Sequence, residues 1–126
     1  MNMNYAVGDF LIRIKNASLA KNKVLLFPES KQVLGVAKAM AKLGILDEVK
    51  SANGVLTLAL TFKNKKPVLR DIKLVSKPGL RVYMGADEIG AKRGPSTYLI
   101  STPLGVLSTK EALKHRVGGE VIAIIS

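Results

Sequence analysis

Over residues 5–17 the apolar positions Val7, Phe10, Leu11 and Ile14 fall at i, i+3, i+4 and i+7, the spacing that lays a single stripe along a helix. Asp9 stands four residues before Arg13 on the polar side, a favourable helical pairing distance, so a helix is expected here despite Gly8. Residues 24–27 are a short apolar run closed by Pro28 and read as a buried strand. Ser30 is placed to cap a second helix, in which Val33, Val36, Ala37, Met40 and Leu43 keep the helical period until Gly44, a residue suited to the position just past a helix end. Lys31, Lys38 and Lys42 occupy its outer face.

Two strands are expected next, at residues 45–50 and 55–62, joined through Asn53-Gly54, the dipeptide that most readily supplies the positive φ angles of a tight hairpin. Leu56, Leu58, Leu60 and Phe62 alternate onto one face. The run Lys63-Asn64-Lys65-Lys66-Pro67 breaks the pattern and is the best linker candidate, either a solvated turn or a phosphate contact. Residues 68–75 read as a strand, Pro78-Gly79 as a turn and residues 80–84 as another strand.

Gly85, Gly90 and Gly94 then punctuate a segment holding Asp87, Glu88, Lys92 and Arg93. It lacks the Lys-Ser/Thr ending of a phosphate loop and reads as a mobile connection. The apolar run ending at Ile100 leads to Ser101, Thr102, Pro103 and Gly105, two small hydroxyls held where a strand turns away. Ser108 and Glu111 have capping-box spacing, which starts a short helix at Thr109 that ends near Arg116. Gly118-Gly119 give backbone freedom before Glu120 and a final strand at 121–125. The order helix, strand, helix, strand, strand, followed by a strand-rich half, makes an α+β fold with two small subdomains.

Charge changes this picture more than size does. Twenty Lys and Arg stand against nine Asp and Glu, a net charge of +11, and the basic residues are spread along the chain rather than gathered in a tail. A folded surface therefore carries the field and favours polyanions, nucleic acid ahead of an anionic membrane. With no Cys and one His, a disulfide framework, a thiolate metal site and a multi-histidine metal centre are excluded, and no cofactor or metal is expected. The opening MNMNYAVGDF has no signal-peptide pattern, and no apolar run approaches spanning length. The expected compartment is the cytosol.

Catalysis has little to work with. His115 lies between Lys114 and Arg116 and reads as a surface residue rather than a base. Ser101 has no nucleophile-elbow spacing, and Asp47 and Glu48, adjacent on a strand, point to opposite faces. Three Tyr, three Phe and no Trp also argue against a platform that stacks successive bases. Structured RNA, read by shape, sugar hydroxyls and phosphates, fits better.

Within that reading Ser101 and Thr102 are the first candidates, as contacts to 2′-hydroxyls and base edges or as caps of a strand end. Lys77, Arg81 and Tyr83 surround the Pro78-Gly79 turn; Arg81 and Tyr83, two apart, would share a strand face, with Tyr83 either stacking or core. Lys31 is a secondary phosphate candidate. Glu120, read from the residues alone, pairs with Arg116 or Lys114. An RNA-binding regulator, or a small basic nuclease or transferase, are the other function classes.

Residues 101–120, STPLGVLSTKEALKHRVGGE, resemble without a gap the signature S-T-S-x-G-x-M-T-x-x-E-A-x-x-x-x-V-G-G-E of the small ribosomal subunit protein eight family. Pro103 stands where that family has a second Ser, Leu104 where Lys is common and Leu107 where Met is usual. The segments at 9–17, 28–31 and 76–83 are similar to the family as well. The resemblance implies an N-terminal α-β-α-β-β unit, here residues 1–66, and a C-terminal, mainly antiparallel β unit with one short helix, residues 67–126. It implies a non-enzymatic constituent of the small subunit that binds the central domain of the ribosomal RNA and helps assemble the platform. RNA contacts are then expected at Ser101, Thr102, Pro103, Gly105, Gly118, Gly119, Glu120, Lys77, Arg81, Tyr83 and Lys31. Neighbouring ribosomal proteins are the implied partners, along with its own messenger RNA where the family acts as a repressor. No membrane partner is expected, a monomer is expected off the ribosome, and the expected ribosome is that of the cytoplasm, with that of an organelle as the alternative.

Overall fold

The computed structural model describes the backbone of residues 3–91 and 96–126. Helix α1 (Met3–Leu19) buries the four residues of its apolar stripe, Val7, Phe10, Leu11 and Ile14. Phe10 meets Phe27 edge-on with ring centroids 5.2 Å apart, and the Arg13 guanidinium carbon lies 5.2 Å from the Phe27 centroid. Helix α2 (Lys31–Lys42) is capped by Ser30, whose hydroxyl accepts from the Val33 amide at 3.2 Å. It stops at Leu43, followed by Gly44 at φ +81°. Strands β1 (Val24–Pro28), β2 (Leu46–Ala52) and β3 (Val55–Leu60) form an antiparallel sheet in the order β1-β3-β2. Asn53 and Gly54 take φ of 52° and 78° in the hairpin between β2 and β3. Strand β1 is not the buried strand expected: it is an edge strand that buries Phe27 and exposes Val24 and Leu26. Its position also explains Pro28, which an edge tolerates.

The lysine-rich run folds as a miniature hairpin, β4 (Phe62–Lys63) and β5 (Lys66–Pro67), with Asn64 and Lys65 at φ of 56° and 65°. Strands β6 (Ile72–Leu74), β7 (Tyr83–Met84), β8 (Thr97–Thr102), β9 (Gly105–Ser108) and β10 (Gly119–Ile125) make the second sheet, in the order β6-β10-β8-β9. Along the other edge of β10, β7 pairs with Gly119 and Glu120 while β6 pairs with Ala123, Ile124 and Ile125. All pairings are antiparallel. The α+β architecture expected from the sequence is therefore present, an α-β-α-β-β half followed by a mainly antiparallel half.

Residues 86–91 are a helix, α3 (Ala86–Ala91), where a connection was expected. Ile89 anchors it, packed with Ile100, Leu107 and Ala112 of helix α4 (Thr109–His115) and its flanking strands. Lys92, Arg93 and Gly94, the rest of that expected connection, lie outside the described residues. The larger core joins Phe10, Leu11, Val33, Met40, Leu56 and Leu58 to Leu69, Ile72, Leu99 and Ala123, so apolar packing runs continuously across residue 66.

Candidate nucleic-acid interface

The β8–β9 turn presents the two hydroxyls at the end of β8. Thr102 pairs with Gly105 and Ser101 with Val106, and Gly105 sits at φ +113°. Adjacent strand residues point to opposite faces, so Ser101 and Thr102 do not act as one pair. The Thr102 hydroxyl is used inside the turn, accepting from the Leu104 amide at 3.1 Å and donating to the Gly105 carbonyl at 2.7 Å. Pro103, which has no amide hydrogen, lies between these anchors and stiffens them. The Ser101 hydroxyl is exposed and, among the described residues, has no hydrogen-bond partner.

Strand register builds a row from four positions. Tyr83 pairs with Glu120, Glu120 with Ser101 and Ser101 with Val106. Paired residues on neighbouring strands face the same side, about 4.8 Å apart from strand to strand. Tyr83, Glu120 and Ser101 thus stand side by side. Tyr83 is 65% exposed, which places it on the surface and not in the core. Glu120, whose side chain is only 14% exposed, faces Arg81 Nη1 at 3.5 Å. Its ion pair is made with Arg81, and among the described residues no ion pair joins it to Arg116 or Lys114. Arg116 instead ends α4, in the left-handed conformation at φ 53°.

Gly118 and Gly119 explain why the row is so tight. Their role is close approach rather than the conformational freedom expected. A Cβ on Gly119 would collide with the Ser101 carbonyl oxygen and lie 3.2 Å from Thr102 Cα, and a Cβ on Gly118 would collide with the Met84 carbonyl and lie 2.8 Å from Gly85 Cα. The start of β10 is pinched between β7 and β8.

Lys77 and Leu80 bridge the base of the Pro78-Gly79 turn, exchanging backbone hydrogen bonds of 2.8 and 2.9 Å with Gly79 at φ +84°. Arg81 lies beyond any regular strand, because β7 begins only at Tyr83; it flanks Glu120 nonetheless. Lys31 is the first residue of α2, one turn before Gly35, which abuts Val106. That contact brings the start of α2 toward the β9 side of the row, and no ion pair engages Lys31 among the described residues. Ser108 caps α4 by accepting from the Glu111 amide at 3.4 Å, while the Glu111 carboxylate turns to Lys42 Nζ at 3.8 Å.

Sequence reasoning includes Ser76 in the segment similar to the family, 76–83, but assigns it no role. Its hydroxyl, buried beside β10, donates to the Val121 carbonyl at 2.6 Å and accepts from the Val82 amide at 3.0 Å. Nothing local marks a serine that reaches across forty-five positions. Elsewhere on the surface, Lys15 hydrogen-bonds Asp71 at 2.9 Å and holds that carboxyl below its ordinary value, and Glu48 raises Lys50 in the same way. No cluster of metal-ligating side chains occurs among the described residues, and no described helix is long and apolar enough to cross a membrane.

The model of the family described as Ribosomal protein S8 matches residues 6–126. The chain is 40% identical to small ribosomal subunit protein uS8 of Geobacter metallireducens over 131 residues, with 99% of each chain covered. It is 37% identical to the uS8 protein of Acinetobacter baylyi and 36% identical to that of Dechloromonas aromatica, each over the full length of both chains.

Proposed function

The chain belongs to the ribosomal protein S8 family, and from that premise we propose how it meets RNA. It is a ribosomal protein of the small subunit, structural rather than catalytic. In the proposed mechanism the net charge of +11 draws it to folded RNA in a salt-dependent, sequence-independent way. The row of Tyr83, Glu120 and Ser101 then selects an irregular helix in the central domain of the small-subunit RNA. Ser101 donates and accepts toward 2′-hydroxyls and base edges in the shallow groove. Tyr83 offers a stacking face, Glu120 accepts from sugar hydroxyls or base amines, and Arg81 and Lys77 meet phosphates.

The observation that carries this reading is the exposed Ser101 hydroxyl, without a hydrogen-bond partner among the described residues, standing in register beside Glu120 and Tyr83. Gly118 and Gly119 act by permitting that approach, Pro103 and Gly105 by shaping the turn that ends it, and Lys31 as an outlying phosphate contact. On this reading residues 67–126 carry the RNA contact and residues 1–66 supply the packed scaffold. Docking there would organise the platform during assembly on the cytoplasmic ribosome, beside neighbouring ribosomal proteins. A messenger RNA of the same shape, including its own, would be bound by the same row.

The chain lacks cysteine, so Leu104→Cys, at the exposed tip of the β8–β9 turn, creates a single point for tethering an iron chelate. After reconstitution into small subunits, hydroxyl-radical cleavage is expected to cluster in the central domain. A Leu26→Cys control on the opposite sheet would give a different pattern. Cleavage scattered over the RNA, or failure to co-sediment with the subunit at moderate salt, would remove the ribosomal placement.

A further inference from the structure

In an antiparallel ladder a hydrogen-bonded pair exchanges two backbone bonds, each residue donating to the other. Val82 and Val121 form such a pair by position, one step beyond the Tyr83–Glu120 pairing. Only half of the exchange is direct: the Val121 amide donates to the Val82 carbonyl at 2.8 Å. In the other half a side chain is inserted. The Val82 amide donates 3.0 Å to Ser76 Oγ, and Ser76 Oγ donates 2.6 Å to the Val121 carbonyl. One hydroxyl thus completes a rung of the sheet, and the Val82 carbonyl stands a further 3.4 Å from it.

The consequence is local and directional. The inserted hydroxyl interrupts the regular β7–β10 ladder at the rung next to the Tyr83–Glu120 pair. It also accounts for the end of regular pairing at Tyr83, which leaves Arg81 outside the strand. The segment between Ser76 and Val82 closes on itself through the Lys77–Leu80 bridge. Its entrance and its exit are therefore held together by the serine. The Val121 carbonyl that Ser76 serves is buried and the Val82 amide half-buried, and a buried group left unpaired is costly.

We infer that Ser76 is a positioning residue for the RNA contact, its inserted hydroxyl fixing Arg81 and Tyr83 relative to Glu120. This rests on the reading of that row as the RNA site. Ser76 itself touches no RNA. It acts through the side chains it aims, and loss of the hydroxyl lets the rung either close directly or open to water, both of which move Arg81 and Tyr83.

The test is a double-mutant cycle on the full chain, reading affinity for a central-domain RNA helix at a temperature where circular dichroism shows every variant folded. Ser76→Ala is expected to weaken binding about tenfold in the wild-type background and to cost nothing further in an Arg81→Ala/Tyr83→Ala background. Ser76→Thr, which keeps the hydroxyl, is expected to retain most of the affinity. In the free protein, amide resonances of residues 81–83 and 119–121 should shift in Ser76→Ala while those of α1 and α2 stay in place. Equal losses in both backgrounds, or no loss in the first, overturn the assignment while the RNA reading stands. A wild-type chain that binds this helix no more tightly than a plain duplex overturns the RNA reading itself, and the role of Ser76 in it.

Discussion

Gly119 and Ser101 lie on neighbouring strands so close together that a Cβ on the glycine would overlap the serine's carbonyl oxygen. The oxygen belongs to paired backbone and cannot swing aside as a flexible side chain would. Gly119→Ala is therefore expected to lower stability by about 1–3 kcal/mol, the usual scale for forced overpacking, and to weaken RNA binding because β8 must move. Gly118→Ala, facing the Met84 carbonyl, should behave likewise. Urea denaturation of the two variants checks this; wild-type midpoints would show that the strands have room to spare.

The two hydroxyls of the β8–β9 turn should separate cleanly. Ser101→Ala removes a group with no protein partner among the described residues, so stability should stay within about 0.5 kcal/mol while RNA affinity falls. Thr102→Ala deletes both turn hydrogen bonds and should cost about 1–2 kcal/mol of stability. Thermal melts and binding isotherms on the same preparations give the comparison. A Ser101→Ala protein that melts early and binds normally would reverse the roles.

Glu120 distinguishes a built site from a merely basic surface. Removing its charge makes the protein more cationic, and a plain polyanion binder would then hold every RNA more tightly. Here Glu120 also holds Arg81, at 3.5 Å. Glu120→Gln should accordingly bind random duplex slightly better and the central-domain helix worse. Competition between the two RNAs measures this, and uniform tightening would count against the site.

The Lys15–Asp71 contact makes a pH prediction whose sign is fixed. Asp71 titrates below its ordinary value of 3.8, chiefly through the hydrogen bond from Lys15. A carboxyl lowered in the folded state adds stability above the unfolded value, and that contribution disappears as pH falls through the folded one. Asp71→Asn should thus be less stable than wild type near neutrality, by a small amount because the pair is exposed. The two stability curves should converge as pH falls below the ordinary value of 3.8 and through the lowered folded one. A difference that persists unchanged into strong acid would assign the effect to packing instead.

Periodicity and turn chemistry made the first half legible. The stripe of α1, the Ser30 and Gly44 boundaries of α2 and the Asn53-Gly54 hairpin are all local signals, and all are found where expected. The edge position of β1 was not readable, because a four-residue apolar run does not reveal how many neighbours it has. Helix α3 was hidden by its own brevity: six residues with a glycine inside show no period, and Ile89 is held by contacts with distant residues. At the site, the motif at 101–120 named the right neighbourhood but not the geometry. That Ser101 and Thr102 face opposite ways follows from both lying on one strand, whereas the pairing of Glu120 with Arg81 and the entry of Ser76 into the ladder depend on strand register, which forms only when residues far apart in sequence meet.

If a row centred on Ser101 recognises structured RNA, a salt series should reveal it. Affinity for an isolated central-domain helix would be measured for wild type, Ser101→Ala and Lys65→Ala/Lys66→Ala, the last altering the exposed β4–β5 hairpin. Ser101→Ala is expected to bind about fivefold to tenfold more weakly, near the worth of one hydrogen bond. Its slope against salt should be unchanged, whereas any loss in the lysine variant should come with a shallower slope. A Ser101→Ala protein that binds like wild type, or a wild-type protein equally content with any duplex, would contradict recognition by this row.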